Sequence, residues 1–214
     1  MLTNIKGVIF DLDGTLVDSM WVWSQIDVDY LQMKGHSMPD DLRNEIEHLS
    51  FQQTAVYFKK RFNIDDSIEK ILIDWHNMAF NHYSNNVKLK LGVKEFLDHL
   101  KSLNIKIALA TSNSIPLLES CLKNNGIYAY FDSITTTDEV TKGKNFPDVY
   151  LLAATKLGIN PEDCLVFEDI LPAMQGAKAA NMKVIAVNDY ECSAPKDELL
   201  KYADKYIDSF LDLL

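Results

Sequence analysis

Three short runs, residues 8–10, 105–110 (Lys106 apart) and 164–167, are apolar at consecutive positions rather than at alternate ones. Neighbouring side chains of a strand point to opposite faces, so a strand of this kind must be covered on both sides. Strands are predicted over "KGVIFDL" (6–12), "IKIALATS" (105–112), "SITTT" (133–137), "CLVFED" (164–169) and "KVIAV" (183–187). Amphipathic segments lie between them. In "GVKEFLDHLKSLN" (92–104), Val93, Phe96, Leu97 and Leu100 fall on one helical face. "DVYLLAATKLG" stops at Gly158, and two other helices stop at Asn104 and Asn181, the residue next best suited to a left-handed terminus.

Alternation of strands and helices predicts a doubly wound, Rossmann-like α/β domain with a parallel sheet. The rhythm breaks between about residues 18 and 87. Helical stretches near 19–34, 40–48, 52–62 and 66–84 follow one another there without a convincing strand. The expected organisation is an α/β core of residues 1–16 plus 88–214, with an all-α domain of residues 17–87 inserted after the first strand.

Composition narrows the function. With 21 basic against 31 acidic residues the formal net charge is −10, and no Lys/Arg-rich stripe is available to replace phosphate counterions. A nucleic-acid partner is not expected, and Lys59-Lys60-Arg61 reads as the solvated face of a helix. No stretch approaches the roughly 20 apolar residues of a membrane span, and "MLTNIKGVIF" is too short an apolar run for a secretion signal. Cys121, Cys164 and Cys192 are odd in number and lack metal-type spacing. The expectation is a cytoplasmic, monomeric protein with reduced thiols and no membrane contact.

The strand ends carry the chemistry. Ligands of open parallel sheets bind at the carboxyl ends of the strands, where this sequence puts Asp11 and Asp13, then Thr111, then Glu168 and Asp169. Two carboxylate pairs on one rim repel each other unless a cation lies between them, and carboxylates with water and phosphate oxygens suit Mg²⁺. A calcium loop starting at Asp11 would need glycine at its sixth position and glutamate at its twelfth, which here are Leu16 and Val22.

Four segments in this order, "DLDGT" (11–15), "LATSN" (109–113), "GKNFPD" (143–148) and "VFED" (166–169), resemble the motifs of the haloacid-dehalogenase-like superfamily. The helical insertion resembles the cap of its β-phosphoglucomutase and phosphoglycolate-phosphatase-like subgroup. The resemblance implies Asp11 as a nucleophile that forms an aspartyl-phosphate and Asp13 as general acid, then base. It implies Mg²⁺ on Asp11, the Asp13 carbonyl and Asp169, with Glu168 in support. Thr111, the Ser112 N–H and Lys144 would hold the phosphoryl group, and Gly14 would let the chain turn beside it.

The pattern has departures. Asn145 stands where relatives have the first proline of G-K-P-x-P-D, and Ile170 and Ala173 replace the serine and glycine of E-D-S-x-x-G. A histidine that assists the mutase cycle is replaced by Trp23, and a cap arginine by Phe51 after Ser50. The leading expectation is therefore a Mg²⁺-dependent phosphatase of a small phosphomonoester, with a sugar phosphate as a candidate substrate. A phosphomutase and a non-catalytic phosphate-binding protein are the alternatives. Trp23, Asn113 and Phe51 are the candidates for contact with the organic part of the substrate.

Overall fold

The computed structural model describes residues 2–46, 51–191 and 194–214. The chain forms two compact units, residues 1–19 with 87–214 and residues 20–86. The larger unit contains the strands β1 (Gly7–Phe10), β2 (Val17–Asp18), β3 (Lys88–Leu89), β4 (Lys106–Thr111), β5 (Ser133–Thr136), β6 (Cys164–Glu168), β7 (Lys183–Val187) and β8 (Lys205–Ile207). Six of them form a parallel sheet in the order β5-β4-β1-β6-β7-β8, and β2 pairs with β3 antiparallel. This is the expected Rossmann-like arrangement. β8 and the β2–β3 pair were not anticipated.

The helices of the smaller unit are α1 (Trp21–Met33), α2 (Leu42–Ile46), α3 (Phe51–Arg61) and α4 (Ile68–Asn85). The larger unit adds α5 (Val93–Ser102), α6 (Ile115–Asn124), α7 (Asp148–Leu157), α8 (Leu171–Ala179) and α9 (Lys196–Leu199). Gly158, Asn104 and Asn181 all take the left-handed conformation, with φ of 68°, 55° and 60°.

Both faces of the sheet are covered. On one, Ile9, Ala108, Ala110, Val166, Val184 and Ala186 meet Val149, Tyr150, Ala153 and Ala154 of α7 and Met174 and Ala177 of α8. On the other, Phe10 and Phe167 stack at 4.9 Å, and Phe96 of α5 and Phe210 close over them. Full burial of each such ring contributes about 1.5–3 kcal/mol.

In the smaller unit Tyr30, Phe58 and Trp75 form a buried aromatic centre. Its surface corrects one reading. Lys59 and Arg61 are not simply solvated: Lys59 Nζ donates to the carbonyls of Ile64 and Asp66 at 2.9 and 2.6 Å, and Arg61 pairs with Asp41 at 2.8 Å and with Glu45. Cys121 and Cys164 are free and buried, while Cys192 and Ser50 lie outside the described residues. Among the described residues no helix is long and apolar enough to cross a membrane.

Candidate active site

The strand period places the acidic residues. Asp11 lies two residues beyond Ile9, and Glu168 two beyond Val166, so both turn toward the face covered by α7. β1 and β6 are neighbours, and the chain's crossovers leave β1 in opposite directions, which opens a crevice at their carboxyl ends. The loop before α7 delivers Lys144 into that crevice. Its Nζ donates to Asp11 Oδ1 at 2.6 Å and contacts Glu168 Oε1, and all three side chains are at most 8% exposed.

Asp11, Glu168 and Asp169 each offer an oxygen within 4.8 Å of the others. Three carboxylates against one ammonium leave two negative charges, which matches one divalent cation. Burial pushes the Asp11 carboxyl well above the usual range. Lys144 opposes that rise, while Glu168, Asp169 and Asp13 add to it. Burial and then Glu168 push Asp169 up to about 7, against Lys144, the Thr15 hydroxyl and Lys90. For Lys144, burial disfavours the charge, yet Asp11 and Glu168 outweigh it and hold the ammonium above the usual lysine range. Such a buried excess of acid is what an oxygen-loving cation fits.

Asp13 is held apart from that cluster. Ser19 donates to its Oδ1 at 2.6 Å and the Asn113 amide to its Oδ2 at 2.8 Å. Thr111 is buried at the end of β4, and its Oγ1 accepts the Asn113 N–H at 3.0 Å, while Ser112 is exposed. Gly14 has a φ of 78°, and a Cβ there would lie 2.4 Å from Asp169 Oδ2, so only glycine permits this turn.

The structure therefore gathers Asp11, Asp13, Gly14, Thr111, Asn113, Lys144, Glu168 and Asp169 within the larger unit. Asn113 is turned to Asp13, which gives it an internal partner in addition to its expected place near substrate. Trp23 and Phe51 belong to the smaller unit, where their rings meet edge to face at 5.5 Å and remain 37% and 44% exposed. In α1 the buried residues are Val22, Ile26, Tyr30 and Leu31.

Several participants were not singled out in the sequence. Thr15 donates to Asp169 Oδ1 at 3.0 Å, and its place inside "DLDGT" is the signal that could have found it. Tyr150 donates its hydroxyl to Glu168 Oε1 at 2.8 Å. It reads as one more core residue of α7, and only the carboxylate above it gives the hydroxyl a purpose. Lys90 and Gly176, which also reach the site's loops, carry no sequence signal of that kind.

The haloacid dehalogenase-like hydrolase profile matches residues 8–187. A bifunctional riboflavin kinase/FMN phosphatase of Arabidopsis thaliana is 32% identical over 208 residues, which are 96% of this chain and 54% of that longer protein. A phosphorylated carbohydrates phosphatase of Thermotoga maritima is 30% identical over 181 residues, 85% of this chain and 84% of its own length. A crystal structure from Thermotoga maritima, provisionally assigned as a β-phosphoglucomutase, is 28% identical with a TM-score of 0.87 over 98% of each chain.

Proposed function

This chain belongs to the haloacid dehalogenase-like hydrolase family, and from that membership we propose that it is a Mg²⁺-dependent phosphatase of small phosphomonoesters, sugar phosphates foremost. The observation that carries the reading is the buried Asp11–Lys144–Glu168 contact at the ends of two adjacent strands, with Asp169 beside it. Likeness to a phosphatase of phosphorylated carbohydrates supports the substrate class.

In this reading Asp11 attacks the phosphorus and carries the phosphoryl group as an aspartyl-phosphate, which splits one difficult displacement into two easier ones. Asp13 gives a proton to the leaving oxygen and then takes one from the water that releases phosphate. Ser19 and Asn113 hold that carboxyl in place meanwhile. Lys144 and the Thr111 hydroxyl meet the charge that spreads over the equatorial phosphoryl oxygens, with the Ser112 N–H and the open turn at Gly14 completing the cradle. Mg²⁺ held by Asp11, Asp169 and the Asp13 carbonyl, with Glu168 alongside, would neutralise phosphoryl charge. Trp23 and Phe51 are the proposed contacts for the substrate's organic part, and residues 17–87 the cap that carries them.

A panel of phosphomonoesters assayed with Mg²⁺ tests the proposal. Turnover is expected, and Asp11→Asn should abolish it in a folded protein. No turnover above that variant would overturn the reading, and isomer formation outpacing phosphate release would favour a phosphomutase.

A further inference from the structure

Lys90 follows β3 and is removed in sequence from every motif of the site. Its main chain is fixed by a hydrogen bond from its N–H to the Leu16 carbonyl at 2.9 Å. Its side chain is 15% exposed and turns inward. The ammonium donates to the Gly14 carbonyl and to the Asn188 carbonyl at 2.6 Å, and it pairs with Asp189 Oδ2 at 2.8 Å. These three partners match the three protons of an ammonium.

The partners come from two different loops. Gly14 lies in the loop after β1, and Asn188 and Asp189 lie in the loop after β7. The second loop is firmly seated: the Asn188 N–H donates to the Ile207 carbonyl at 2.9 Å, and Asp189 Oδ1 accepts the Glu191 N–H at 2.8 Å. The Asp189 side chain is only 6% exposed, so its charge depends on Lys90 for compensation. Gly14 also borders Asp169, close enough that a Cβ at residue 14 would be 2.4 Å from Oδ2. Thr15, the next residue, donates to the other oxygen of the same carboxylate at 3.0 Å. The Gly14–Thr15 turn is thus clamped between an ammonium and the Asp169 carboxylate.

We propose that Lys90 is a positioning residue: anchored by Asp189, it fixes the Gly14–Thr15 turn against Asp169 and so sets the affinity of that carboxylate for a divalent cation and the rate of phosphoryl transfer. The proposal rests on the phosphatase reading above. Lys90 touches neither Asp11 nor the phosphoryl site; besides a through-space attraction on Asp169, whose loss alone would tighten Mg²⁺ binding, it acts through the turn, whose loss would weaken it. A residue whose only role is to hold the fold would lower thermal stability and leave cation affinity and turnover unchanged at a temperature where the protein is folded. A positioning residue moves all three.

The test compares the wild-type chain with Lys90→Met, which keeps most of the stem and removes the charge, and with Asp189→Asn. Surface Lys94→Met serves as the control. Mg²⁺ affinity is measured by calorimetry without substrate, kcat and KM with the best phosphomonoester, and amide exchange at Gly14 and Thr15 by NMR. For Lys90→Met the Mg²⁺ Kd should rise several-fold and kcat fall about tenfold to a hundredfold, in line with the cost of roughly 1 Å of misplacement, while KM changes little. Asp189→Asn should move the same quantities in the same direction by less, and the double variant should resemble Lys90→Met because the two act as one unit.

A folded Lys90→Met with wild-type Kd and kcat overturns the proposal. Should that variant fail to fold, Asp189→Asn decides in its place, and wild-type values there overturn it equally. If the wild-type chain neither turns over phosphomonoesters nor binds Mg²⁺, the phosphatase reading is what fails. Exchange at Gly14 and Thr15 then still decides the tether: faster exchange in Lys90→Met supports it, and unchanged exchange overturns it.

Discussion

Replacing Gly176 by alanine adds one methyl group to α8 and points it at main chain. The new carbon would lie 2.0 Å from the Lys144 carbonyl oxygen and 2.8 Å from that of Phe146, where packed Cβ atoms keep at least 3.0 Å. Neither oxygen belongs to a side chain that can swing away, so the two segments must part by about 1 Å. α8 is held in the core through Met174 and Ala177, and the segment that gives way is the loop carrying Lys144. Its 2.6 Å contact with Asp11 would then stretch to about 3.6 Å, well beyond a charge-assisted hydrogen bond.

Two effects on stability oppose each other. Alanine gains about 1 kcal/mol over glycine inside a helix, and overpacking costs about 1–3 kcal/mol, so the net loss is about 0–2 kcal/mol. Catalysis has no such compensation. A misplacement of this size costs about a hundredfold in rate, or about 2.7 kcal/mol of barrier. Steady-state kinetics with a good phosphomonoester and a urea titration measure the two effects separately. A Gly176→Ala protein with kcat within about twofold of wild type, and stability raised by the helical gain alone, would refute the reasoning.

Tyr150→Phe removes the 2.8 Å bond to the buried Glu168 carboxylate and should cost about 1.5–3 kcal/mol of stability, read by urea denaturation with a parallel drop in kcat. Mg²⁺ at about a hundred times its Kd should stabilise the protein by about 2.7 kcal/mol; a thermal shift should detect this in the wild type and lose it in Asp169→Asn. Burial pushes Asp27 up to about 7 from 3.8, so the folded state keeps a proton that the unfolded state releases, and stability declines as pH climbs from about 4 to about 7. Asp27→Asn should therefore melt at nearly the wild-type temperature at pH 4 and higher at pH 8. The gain there should be about 2 kcal/mol, half the full linkage value because the side chain is partly solvated.

The elements legible in the sequence were those whose side chains report burial on both sides. β1, β6 and the centre of β4 are apolar at consecutive positions because helices cover both faces, and their shortness and β-branched residues separate such runs from a buried helix. β8 escaped notice because it is a three-residue edge strand whose Lys205 and Tyr206 are half-buried. The β2–β3 pair is too short to show alternation at all. For the site, the carboxylates were visible because they stand directly after strands. Lys144 was reached through its motif, whereas Tyr150, Lys90 and Gly176 are distant partners of those strand ends. The contact of Lys90 with Asn188 joins residues 98 positions apart, and only the fold specifies which ammonium meets which carbonyl. Asn145, in place of proline, leaves the loop after Lys144 without the rigid link of that ring. The close seat of the Lys144 carbonyl against Gly176 supplies a physical restraint on that loop which no local pattern announces.

The antiparallel pair of β2 and β3 has a consequence for the history of such chains. Asp18 stands opposite Lys88, so the polypeptide departs from the α/β framework and rejoins it at adjoining rungs of one short ladder. The entropy of closing the excursion is governed by those two pinned ends and rises by only about 0.6 kcal/mol for each doubling of its length. Residues 20–86 thus occupy a graft point. Selection can lengthen, exchange or trim what is spliced there without shifting the register of the six-stranded sheet.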